Sequence, residues 1–141
     1  MGLDMFLKQR IYLEEGKGTI AMHLDGKPLT IPTNKINHIE LDIGTWRKAN
    51  QIHNWFITNV KDDEDDCREF YVPHEKLLEL KTLCKKILKN KSLAIDLLPP
   101  KMGFFFGGTE IDDWYFKDLK DTIKIIDSIE PVGNIYYQAS W

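Results

Sequence analysis

The chain has 141 residues, 43% of them hydrophobic and 29% charged, with a formal net charge of −3. That size fits one domain spanning residues 1–141 with a packed core, and so weak an acidity excludes non-specific binding to nucleic acid or to an anionic membrane. No apolar run approaches the ~20 residues of a spanning helix, and MGLDMFLKQR, which bears an acid and no cationic region ahead of an apolar block, does not read as a signal peptide.

In chain order, residues 3–13 alternate Leu3, Met5 and Leu7 against Asp4 and Lys8, which predicts a strand. EEGKG is a turn. TIAMHL and PLTI, joined around Asp25-Gly26, predict a hairpin whose turn needs positive φ. In residues 37–43, Ile39, Leu41 and Ile43 share one face of a further strand, which Gly44-Thr45 ends; Thr45 then serves as N-cap of a helix over about 46–60. KDDEDD (61–66) is a charged loop, REFYV (68–72) a short strand stopped by Pro73, and 75–90 a helix with Leu77, Leu80, Leu83, Cys84, Ile87 and Leu88 on one stripe. SLAIDLLPP is a short helical turn closed by Pro99-Pro100.

GFFF (103–106) is β-prone and too short for anything but a strand, broken by Gly107-Gly108. Thr109 and Asp112 are spaced as a capping box for a third helix to about Ile129, with Ile111, Tyr115, Leu119, Thr122, Ile126 and Ile129 on its apolar arc. NIYYQASW is a final strand. The reading is α+β: one domain, a mainly antiparallel sheet of about five to seven strands packed with three helices.

The segments GLDM, WRKANQIHNWF, DDC, LLPPKMGFFFGGTEIDDWYFKDLKDTI and YYQASW carry a resemblance. Over nearly its whole length the chain resembles a group of small proteins encoded by bacteriophages and prophages. Phe6 stands where that group often has Tyr, and DDEDD is more acidic than is usual there. The resemblance implies phage origin and residence in the cytoplasm of an infected bacterium. No fold and no activity follow from it.

Chemistry concentrates in GTWRKANQIHNWF, 44–56. A helix start carries partial positive charge and favours acids. Here Arg47 and Lys48 occupy the expected first turn, and no acid occurs between Asp42 and Asp62. Either acids from elsewhere pair with both cations, or an anion such as a phosphate or carboxylate binds there. Asn50 and Asn54 flank the cations. His53 falls on the buried arc with Ala49, Ile52, Phe56 and Val60, and is either a hydrogen-bonded core residue or a ligand contact. Trp55 falls on the opposite, polar side, so it marks a contact surface or lies under a loop or terminal strand. Trp141 is a second candidate for a protein contact.

Glu110, Asp112 and Asp113 complement the dipole of their own helix, so the glycine pair reads as a turn rather than a phosphate cradle; the acids are still able to accept from an amine or a ribose hydroxyl. Phe105, Thr109, Glu110 and Tyr136 are therefore secondary contact candidates. DDEDDC lacks the Gly and Glu of an EF-hand loop. Cys67, Cys84 and His74 lack the paired spacing of a zinc site, and the cysteines read as free cytosolic thiols. No metal, cofactor or catalytic motif is marked, and the chain is more readily a binding protein than an enzyme. Three expectations follow: a phage protein that binds an anionic, nucleotide-type small molecule and so antagonises a host defence signal; one that inhibits a host protein by contact; or a small phosphoester-cleaving enzyme with His53 as base. A homo-oligomer is compatible with each.

Overall fold

The computed structural model describes residues 2–13 and 18–141, so most of the expected EEGKG turn lies outside the described residues. Six strands and four α-helices occur among them: β1 (Asp4–Tyr12), β2 (Thr19–Leu24), β3 (Lys27–Pro32), β4 (His38–Arg47), α1 (Asn50–Val60), β5 (Phe70–Val72), α2 (His74–Lys89), α3 (Ala94–Leu97), α4 (Asp113–Asp127) and β6 (Asn134–Ser140). The class is α+β. The strands divide into a four-stranded antiparallel sheet in the order β4-β1-β6-β5 and a separate two-stranded hairpin, β2-β3.

The main sheet has two unlike faces because its central strands alternate. Met5, Leu7 and Gln9 of β1 pair with Ala139, Tyr137 and Ile135 of β6, and all six are buried against the helices. The opposite face carries Lys8, Arg10 and Tyr136. There Arg10 pairs with Glu40 (2.8 Å) and Glu69 (2.6 Å) and lies 4.4 Å over the Tyr136 ring. Helices α2 and α4 bury the stripes that their 3.6-residue periodicity predicts: Leu77, Leu80, Cys84 and Ile87 from one, Tyr115, Leu119, Thr122 and Ile126 from the other. The hairpin turns at Asp25 (φ 51) and Gly26 (φ 75), as its sequence requires, and its Met22 and Leu29 pair across the strands with their side chains exposed.

Four expectations are corrected. Gly44-Thr45 does not end β4, which runs on to Arg47; Gly44 and Trp46 face inward and Thr45 and Arg47 outward. Gly44 is there for close packing: a Cβ would lie 2.6 Å from Ile125 of α4. Helix α1 consequently begins at Asn50, with Ala49 rather than Thr45 at the N-cap and no side-chain cap. GFFF is a turn and not a strand. Phe106 N–H donates to Gly103 O (3.2 Å), Phe105 adopts φ 70, and its carbonyl accepts from Leu3 N (3.1 Å), which leaves no ladder for the segment to join. The cap of α4 is Asp112, whose Oδ1 accepts from Tyr115 N at 3.0 Å, in place of Thr109.

Candidate functional site

The site forms where β4 gives way to α1. Arg47 ends the strand opposite Asp4 of β1, and its Nε lies 3.6 Å from Asp4 Oδ1. With the Arg47 side chain 69% exposed, that pair holds it weakly. Lys48 follows in the left-handed region (φ 58), fixed by its N–H to Leu3 O at 2.7 Å, and it makes no ion pair among the described residues. The two cations therefore precede the helix instead of filling its first turn. That first turn still contains no acid.

Across from them runs the segment after the 103–106 turn. Gly107 (φ 88) lies against the lysine stem, with a would-be Cβ only 3.1 Å from Lys48 Cβ, so glycine serves both the dihedral and the approach. Asn50 ties this segment to α1: its Nδ2 donates to Phe106 O (3.0 Å) and Gly108 O (2.9 Å), and its Oδ1 accepts from Lys101 N (2.9 Å). Every hydrogen-bonding atom of that side chain is engaged with protein, so Asn50 builds the wall.

Between these elements lies a cleft of about 300 Å³, with Arg47 and Lys48 on one side and Gln51, Glu110, Trp114 and Asp118 around the rest. It continues past Trp114 into a hollow of about 530 Å³; Arg47, Trp114 and Asp118 line both parts. Trp114, 73% exposed, is an indole shared by the linings of both parts. Burial pushes the Asp118 carboxyl up to about 6, against the opposing pull of the Gln51 amide, which donates to its Oδ2 at 3.1 Å. The cleft is thus dipolar: two cations face a wall of carboxylates around a flat aromatic.

The structure distributes the residues expected from sequence. Arg47, Lys48, Asn50 and Glu110 meet at the cleft. His53 does not line it. Its ring is buried, with Nδ1 2.8 Å from Tyr137 Oη and Nε2 3.0 Å from Asp65 Oδ1, and the Phe106 ring packs edge-on at 5.3 Å. Burial lowers its pKa even though Asp65 opposes the shift. Asn54 is half-buried one position along the helix. Trp55 is only 7% exposed, because α1 is buried on nearly every side; the polar, outward face expected for it is corrected. Trp141 is half-exposed and donates from Nε1 to Asp65 at 3.2 Å. Phe105 and Thr109 are exposed in the loop before α4, and Tyr136 lies on the far face of the sheet beneath Arg10. Cys67 and Cys84 are free, the latter's thiol pushed up to about 12 by burial and therefore inert.

Gln51, Trp114 and Asp118 were missed. The clue for Trp114 was an aromatic on the charged arc of α4; for Asp118 it was a carboxylate bordering the apolar arc next to Leu119. No helix among the described residues is long and apolar enough to cross a membrane. Comparison with protein-family models, with curated proteins and with solved structures finds no match for this chain.

Proposed function

We propose that this chain is a phage-encoded binding protein that holds a nucleotide-type anion in the cleft between β4, α1 and α4, acts in the host bacterial cytoplasm, and sequesters a host defence signal. The observation that carries the ligand reading is the pairing of two cations, one weakly paired and one unpaired among the described residues, with an exposed tryptophan across a cavity of ligand size. Arg47 offers a planar donor fork and Lys48 a point charge to a phosphate. The Trp114 face offers a stacking surface, and base-on-aromatic stacking contributes about 1–3 kcal/mol. The phage origin and the defence role rest on the sequence resemblance.

A second reading, contact with a host protein, draws on Met102 and Phe104, each 83% exposed, in the loop beside the cleft. Hydrolysis has the least support, since both ring nitrogens of His53 are engaged away from the cleft.

The test is thermal melting of the protein against a nucleotide panel that includes cyclic dinucleotides, with nucleotide integrity followed in parallel. A saturable rise in Tm, about 2.7 kcal/mol of added stability at 100 times Kd, with intact ligand, is the expected result. Turnover of the nucleotide would favour the hydrolytic reading. A flat panel together with capture of a host protein would favour the second reading.

A further inference from the structure

We infer that the base taken by this cleft is guanine-type, one whose edge presents two adjacent N–H donors. The inference rests on the nucleotide reading and names the specificity of the same site.

The argument begins with Gln51, which is 97% buried (3% exposed) yet lines the cleft. Its Nε2 donates to Asp118 Oδ2 (3.1 Å) and approaches Tyr115 O (3.5 Å). Both neighbours are acceptors, so the amide is held one way round: turning it over would set oxygen against oxygen. Its Oε1 accepts nothing among the described residues. No buried side-chain oxygen or nitrogen among the described residues lacks a partner, so this Oε1 is open to the cleft. Asp118 Oδ1 is likewise without a donor, and so is the Glu110 carboxylate.

Two side chains beside these acceptors have their own donors engaged, while the exposed Trp114 indole N–H has no partner among the described residues. The Tyr115 hydroxyl donates to Leu98 O at 2.7 Å, and both Asn50 amide bonds go to the 106–108 backbone. Three acceptors of the lining are left free: Gln51 Oε1 and Asp118 Oδ1, on two side chains joined by a hydrogen bond, and Glu110. Guanine answers the Gln51 and Asp118 acceptors with N1–H and N2–H₂ side by side. Adenine and cytosine each set a ring lone pair beside their single amino group, and uracil has one N–H between two carbonyls. Of these edges, guanine's alone brings two adjacent donors to the Gln51 and Asp118 acceptors, and a polar group left unpaired is what discriminates most strongly in a buried polar site. Trp114 supplies the stacking face, and Arg47 and Lys48 line the same cleft for the phosphate.

Titration calorimetry with the full chain decides it. The ligands are the monophosphates of guanosine, inosine, adenosine, cytidine and uridine. Inosine lacks only the 2-amino group and should bind about 10-fold more weakly than guanosine; adenosine should bind at least about 100-fold more weakly. Asp118→Asn, with its fold checked by circular dichroism, should lose about 10-fold or more for guanosine and narrow the gap to adenosine. The comparison of guanosine with inosine uses the unaltered protein, so it stands even if the variant fails to fold. Equal affinity for all five, still dependent on Arg47 and Lys48, would overturn the base assignment and leave the nucleotide reading intact. Binding of none would overturn both.

Discussion

His53 shows how burial fixes a proton. The Asp65 carboxylate faces Nε2, so that nitrogen carries the hydrogen, and Nδ1 is left to accept from the Tyr137 hydroxyl. Tyr137→Phe would strand Nδ1 in a closed space. We expect a loss of about 1–3 kcal/mol in urea denaturation, and a change below about 0.5 kcal/mol would contradict the assignment. A histidine whose folded pKa is lowered binds protons more readily when unfolded, so its contribution is present above the unfolded value of about 6.5 and is lost as pH falls below it. Asp118 runs the other way. Its folded value near 6 exceeds the unfolded value of about 3.9, so ionisation weakens the fold as pH rises from about 4 to about 6. Asp112 and Asp121 reinforce that penalty and Lys117 opposes it. Asp118→Asn should therefore raise Tm at pH 7.5 and change it little at pH 4. An equal change at both pH values would show that the carboxylate charge is not the cause. A group that strains the empty protein and weakens ligand binding when removed is what a site residue looks like.

At the scale of elements, the junction between β4 and α1 decides where the cations sit. Trp46 Nε1 donates to Thr122 Oγ1 at 2.9 Å, and Ile125 occupies the space that Gly44 leaves open, so β4 and α4 lock together and hold Arg47 at the cleft. Gly44→Ala forces a methyl into Ile125 and should cost about 1–3 kcal/mol by thermal melting, with a neutral result contradicting this packing. The same glycine explains the misreading of the sequence. A glycine before a threonine resembles a strand stop, and only the three-dimensional approach of α4 shows it to be a packing position. Periodic segments were legible for the opposite reason: the alternation in β1 and β6 and the stripes of α2 and α4 record which face is buried within a few residues of chain. GFFF misled because β-propensity states a preference and cannot supply a neighbouring strand; the one long-range backbone bond made there among the described residues goes from Leu3 to Phe105.

At the scale of the molecule, the cleft joins residues 47–51 to residues 107–118, two stretches more than fifty positions apart. Sequence marked one end by its unmatched cations and the other by its acids, glycines and aromatics. That the two face each other depends on Asn50 binding the 106–108 backbone and on α4 crossing β4, neither of which leaves a local signature. The most direct test is titration calorimetry of the nucleotide panel into the wild-type chain and into the double variant Arg47→Ala, Lys48→Gly. The glycine keeps the left-handed backbone at position 48, so the variant should melt no lower than wild type. The account predicts saturable binding to the wild type, at least about 10-fold weaker in the variant. Identical isotherms for the two proteins, or no binding of any nucleotide to either, would contradict it.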